Sequence, residues 1–131
     1  MIDHLSSYTT QYEQSKAFYE AVFEPLGASL QTEFVAEWNV EFPTQRMCAF
    51  GSAGKPIFWI IETREAATHR HVAFTAQSRS DVQSFYANGL ANGGTDNGEP
   101  GLRPLYHENY YGAFVIDPDG NNVEAVCHLP E

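Results

Sequence analysis

HLSSYTTQYEQSKAFYEAVFEPLG, residues 4–27, and HVAFTAQSRSDVQSFYANGLANGG, residues 71–94, decide the fold. A shift of 67 positions lays His4 on His71, Phe18-Tyr19 on Phe85-Tyr86 and Gly27 on Gly94. In each stretch an alternating segment precedes apolar residues at three- and four-residue spacing, and a glycine follows. That is the order of a strand, an amphipathic helix and a helix stop. A repeat of this period makes half the chain the structural unit. Half of a 131-residue chain cannot cover both faces of its own sheet, so the halves must complete one another around a shared concavity.

Working outward, Ile2 to Thr9 reads as a strand with Ile2, His4, Ser6 and Tyr8 on one face. Gln11 to Leu26 is a helix ended by Pro25 and Gly27, and strands follow at Ala28–Val35, Arg46–Gly51 and Pro56–Glu62. Residues 36–44 form an irregular connection, and SAGKP makes a turn between the last two strands. In the second half, His69–Ala76 is a strand and Ser80–Asn92 a helix closed by Gly93-Gly94. GGTDNGEPG then reads as a turn and LRPLYHENYY as a loop. The strands Gly112–Ile116 and Asn122–His128 are joined by Asp117-Pro118-Asp119-Gly120-Asn121, where Pro118 presets its φ and Gly120 supplies a positive one. The predicted fold is α+β: one domain over residues 1–131, with two βαβββ modules, about 1–65 and 66–131, forming a half-barrel-like sheet around a central cavity.

Composition narrows the function. With 17 Asp and Glu against 7 Lys and Arg, the formal net charge is -10, which repels nucleic acid and anionic lipid and favours a small-molecule or protein partner. No apolar run reaches the length of a membrane span and the first residues lack a leader pattern, so a cytoplasmic protein is expected. Cys48 and Cys127 lie inside apolar runs and read as small buried hydrophobes, not a disulfide framework.

Strand parity then selects polar residues for the inward faces. His71 shares a face with His69, Ala73 and Thr75; His4 with Ser6 and Tyr8; Glu124 with Asn122, Val126 and His128. Taken singly, each has a plain reading, a histidine packed in a sheet or a glutamate facing water. Together, His4, His71 and Glu124 would make a facial His-His-Glu site with open coordination positions for Fe, Mn, Zn or Ni. The loop Arg103–Tyr111 frames the cavity mouth, with Arg103 suited to an anionic group and Tyr106, His107 and Tyr110 to acid/base or orienting work beside Glu124. By parity Arg46 and Trp59 are assigned to the substrate pocket as well.

MIDHLSSY, SKAFYEAVFEPLG, HRHVAF, DVQSFY and above all YYGAFVIDPDGNNVEAV resemble the glyoxalase/bleomycin-resistance/dioxygenase family of the vicinal oxygen chelate superfamily. The resemblance implies a divalent ion held by His4, His71 and Glu124, a small oxygen-bearing substrate chelated to that ion, and a homodimer. Its alternative is a metal-free binding protein of the bleomycin-resistance kind. In glyoxalase I a further glutamate ligand comes from the first module. Shifting Glu124 back by the repeat lands on Ile57, next to Phe58 and Trp59, all apolar. The three-ligand pattern therefore resembles the extradiol dioxygenases and the fosfomycin-modifying transferases more than glyoxalase I.

Overall fold

The computed structural model describes residues 1–131. The first half runs β1 (Leu5–Thr9), α1 (Tyr12–Phe23, extended by one 3-10 turn over Glu24–Leu26), β2 (Ser29–Val35), β3 (Arg46–Ser52) and β4 (Lys55–Glu62). The second runs β5 (His71–Thr75), α2 (Arg79–Ala91), β6 (Thr95–Leu102), β7 (Tyr111–Ile116) and β8 (Asn122–Cys127). Each half builds its own four-stranded sheet, in the orders β1-β4-β3-β2 and β5-β8-β7-β6. The first strand of each module pairs parallel with the last and all other pairs are antiparallel, so the two βαβββ units have one topology. Both sheets stay open instead of closing into barrels.

The helices form because their apolar stripes have something to bury against. On α1, Phe18, Tyr19, Val22 and Phe23 are almost fully buried; on α2, Val82 and Phe85 are. These residues meet Phe50, Phe58 and Ile60 of the first sheet and Val115, Val123 and Ala125 of the second in a single core. The modules meet chiefly through α1 and α2. Phe74 of β5 joins them further, stacking edge-on against both Phe23 and Phe58. An apolar groove of about 440 Å³ runs between the sheets, bordered by Leu5 on one side and Val72 on the other.

Three sequence expectations are corrected. GGTDNGEPG is no simple turn, since Thr95–Leu102 forms β6, the outer strand of the second sheet. Its glycines and Pro100 weaken any strand signal, yet an edge position tolerates them, and its pairing with β7 breaks register between Asp96 and Gly98 and again before Gly101. The glycine stop is also divided differently in the two modules: Gly27 has φ 79° after α1, but after α2 the positive φ falls on Gly93, and a Cβ on Gly94 would strike Val115 and Phe18. Finally, Ser6 pairs with Trp59 as Ala73 pairs with Glu124, so the first-module counterpart of Glu124 is Trp59, not Ile57. The last strands are 65 residues apart where the first strands are 67 apart.

The turn after β7 carries the tightest polar cluster between modules. Asp117, 3% exposed, accepts hydrogen bonds from the backbone N–H groups of Asp119 (2.9 Å) and Asn121 (2.8 Å), the Asn121 amide (2.9 Å) and the Tyr19 hydroxyl of α1. Burial, with Asp117 beside it, pushes the Tyr19 phenol far above its usual range and keeps it a donor. Tyr19→Phe leaves one of those acceptors short of a donor while changing little volume. It should cost about 1–3 kcal/mol, seen as a lower urea midpoint with an unchanged slope.

Candidate functional site

Along β8, Val123, Ala125 and Cys127 turn into the core, so Glu124 points to the opposite, open face of the second sheet. Its ladder neighbours are Ala73 on β5 and Phe114 on β7. The carboxylate is only 2% exposed and has no Lys or Arg partner. The Tyr110 hydroxyl donates to its Oε2, while its Oε1 lies 3.3 Å from Nε2 of His71. Gly112 makes room for this, because a Cβ there would lie 3.2 Å from the Tyr110 ring and 3.3 Å from Oε2.

His71 opens β5, and its Nδ1 is 2.9 Å from the backbone carbonyl of Asn122, its ladder partner. A carbonyl only accepts, so Nδ1 carries the hydrogen. In the neutral ring, Nε2 then holds a lone pair aimed at a carboxylate oxygen. Two acceptors facing each other repel unless a positive species lies between them, either a proton on Nε2 or a metal ion. The donor set fits a metal. Two ligands at the usual bond lengths of about 2.0–2.3 Å from one ion stand about 2.8–3.7 Å apart, which contains the separation found. A backbone carbonyl fixing the far nitrogen is the usual outer support of a ligating histidine. The side-chain oxygen of Asn122, buried without a partner, adds a further acceptor on the same face of β8.

Beyond this pair rises the loop between β6 and β7, tied shut by Arg103 N–H to the Tyr110 carbonyl at 2.7 Å. Tyr110 is boxed by three rings, Tyr106, His107 and His128, each edge-on at about 5 Å. Burial first, then the bond to Glu124, pushes its phenol up to about 12. Arg103 donates to the Glu99 carbonyl at 2.6 Å and lies over the Phe114 ring at 5.5 Å, with no carboxylate paired to it. Phe114 in turn stacks against His71, at 6.4 Å and 27°. An unpaired guanidinium thus stands above the face that holds His71 and Glu124.

The remaining expected residues lie elsewhere. His4 precedes β1, bonds Asp3 at 2.6 Å and does not join His71 and Glu124; no three His, Cys, Asp or Glu side chains of one chain gather closely enough to share an ion. Of the three expected ligands, a single chain brings His71 and Glu124 together and leaves His4 apart. Trp59 lies on the open face of the first sheet, edge-on to Phe34 at 6.0 Å. Arg46 is on the other face, since Trp59 pairs with Ala49 and alternation turns Arg46 towards α1. There its guanidinium chelates Glu62 at 2.8 and 3.1 Å, reaches Glu13 at 3.0 Å and covers the Tyr12 ring, which leaves no group free for substrate. His107 bonds His128 at 2.8 Å, and neither it nor the well-exposed Tyr106 hydrogen-bonds to Glu124. Phe114 and Gly112 were missed in the sequence, although the symmetry of the hairpin about Asp119 sets Phe114 opposite Glu124.

Paired βαβββ modules with a histidine opening one strand and a glutamate inside its parallel neighbour define a class of protein. The chain matches the model of the Glyoxalase/Bleomycin resistance protein/Dioxygenase superfamily over residues 1–125, and it belongs to that superfamily. No match was found among curated proteins. Among solved structures, a glyoxalase/bleomycin resistance protein from Albidiferax ferrireducens T118 is 29% identical with a TM-score of 0.76, over 95% of this chain and 96% of that one. The V278E mutant of glyoxalase I from Zea mays is 20% identical, with a TM-score of 0.70 over 95% of this chain but 45% of its own. A family enzyme from Burkholderia phytofirmans PsJN, 18% identical, gives a TM-score of 0.64 over 98% of both chains. The last two likenesses concern the fold alone. No helix is long and apolar enough to cross a membrane.

Arg46 makes a prediction about acid. Its hydrogen bonds hold the Glu62 carboxyl below the usual range, and a depressed folded pKa contributes stability above the ordinary carboxylate range that is lost as pH falls through the folded value. Solvent reaches the guanidinium, so Arg46→Met should cost roughly 1 kcal/mol at neutral pH. Its urea midpoint should also fall less steeply than the wild type's below about pH 4.

Proposed function

We propose that the chain is a metal-dependent enzyme of the glyoxalase/dioxygenase type, acting on a small oxygen-bearing substrate chelated by a divalent ion. The observation that carries this is the buried Glu124 Oε1 facing His71 Nε2 at 3.3 Å, with the other imidazole nitrogen committed to a carbonyl. His71 and Glu124 would hold the ion, with His4 as the third ligand. Bound there, a divalent ion supplies Lewis acidity to a substrate oxygen. The chain's own groups do the rest: Arg103 binds an anionic part of the substrate, Phe114 keeps water from one side of His71, and Tyr110 orients Glu124. With Trp59 in the first-module place of Glu124, no second carboxylate stands ready for proton transfer of the glyoxalase I kind, and the transferase and ring-cleaving reactions fit better.

His4 can serve such a site only from a second copy, because within one chain it stands apart from the other two. The functional unit proposed is therefore a homodimer with sites shared between subunits. The open face of the first sheet, which carries Phe34 and Trp59 with Trp38 against it at 69% exposure, supports that reading, as does the open face of the second.

Metal analysis of protein purified without chelator or His-tag should find a divalent ion. His71→Ala should weaken its binding by more than the roughly 10–100-fold typical of an outer-shell change, with near-UV circular dichroism unchanged. Protein that binds no divalent ion would leave the ligand-binding alternative standing.

Mixing the His4→Ala and His71→Ala chains tests the dimer. Neither should bind metal alone, whereas unfolding and refolding them together should restore about a quarter of the wild-type stoichiometry, half the dimers being mixed and one site in each complete. A monomeric mass by light scattering at micromolar protein, or no restoration on mixing, refutes the shared site.

A further inference from the structure

We infer that Tyr110 is a positioning residue that holds Glu124 to a single free oxygen, making the carboxylate a one-oxygen ligand. The inference rests on the metal-site reading above and concerns a role within it that neither the fold nor the repeat requires. Oε2 is taken by the Tyr110 hydroxyl and Oε1 faces His71 Nε2, so the two oxygens have different duties. A carboxylate left to itself can chelate an ion through both oxygens or rotate between them. Here rotation would break the Tyr110 bond, and a second metal bond from Oε2 would compete with it. One coordination position is thereby kept open for substrate.

The neighbourhood is built for that contact. Tyr110 is held edge-on by Tyr106 at 4.9 Å and by His107 and His128 at 5.3 Å, which fixes the ring and leaves the hydroxyl one direction. The His107–His128 hydrogen bond at 2.8 Å ties the loop to the end of β8, four residues beyond Glu124. Gly112 is the reason the two groups can touch, since any side chain at that position would press on both.

The test uses Co(II), whose visible absorption weakens as coordination number rises, on the full-length protein. Tyr110→Phe keeps the ring in its aromatic box and removes only the O–H. It should bind Co(II) about 10-fold more weakly, and its visible bands should lose intensity as Oε2 joins the ion. Gly112→Ala, which crowds the same contact from the backbone, should change the spectrum in the same direction. Tyr106→Phe, which keeps the box and removes a hydroxyl that does not touch Glu124, should leave the bands unchanged. Unaltered bands in Tyr110→Phe, with Co(II) still lost from His71→Ala, would overturn the inference and leave the metal site standing. Equal changes in Tyr106→Phe and Tyr110→Phe would overturn it in favour of general loop packing. Wild-type protein that takes up no Co(II) would overturn the inference and the metal-site reading together. Should Tyr110→Phe fail to fold, Gly112→Ala alone decides: unchanged bands there overturn the inference.

Discussion

Asp117 is the constraint on which the arrangement depends. A buried carboxylate demands donors, and this one draws them from its own turn and from Tyr19 on the helix of the other module. Asn121 extends the cluster to Ser7 of β1, and Asp119 extends it to Thr9. The β7–β8 turn is therefore fastened at once to β1 and α1. Once the turn is fixed so is the register of β8, and with it the level at which Glu124 meets Ala73 and the Asn122 carbonyl meets His71. The site owes its geometry to a polar cluster that takes no part in its chemistry.

The modules share a topology and divide the labour. At equivalent places on the open faces stand Trp59 beside Ala49 in the first sheet and Glu124 beside Phe114 in the second. A large aromatic over a small residue gives an apolar platform, whereas a carboxylate opposite an aromatic, with His71 next to it, gives a polar pair. The helix-facing sides did not diverge in this way, because the core packs from both modules at once.

What was legible in the sequence follows from how local each signal is. The repeat, both helices and the closing hairpin were readable, because apolar spacing and turn residues act over a few positions, and parity separated His71 and Glu124 from the helix-facing residues of their strands. β6 was missed because its pairing with β7 supplies a stability that its own glycines and Pro100 do not advertise. Arg46 was grouped with Trp59 because the register of β3 against β4, which turns the two to opposite faces, is a tertiary fact. Trp59 was read as a neighbour of the Glu124 counterpart, and not the counterpart itself, because one repeat interval does not describe both the first and the last strands. The Asn122 carbonyl leaves no trace in a sequence at all, since every residue has one.

The broken registers of the outer strands also bear on how the chain behaves while crowded or newly made. β2 skips between Leu30 and Thr32, and β6 skips twice, so neither outer edge offers an unbroken row of N–H and C=O groups to a stray strand. The inner edges, β1 and β5, pair without interruption to their neighbours and are five residues long. Sheet growth is thus discouraged at the rims of the molecule and left possible only along its midline, where the groove lies. Irregularity that weakens two strands as structure serves as a guard against the open-ended stacking to which exposed sheets are prone.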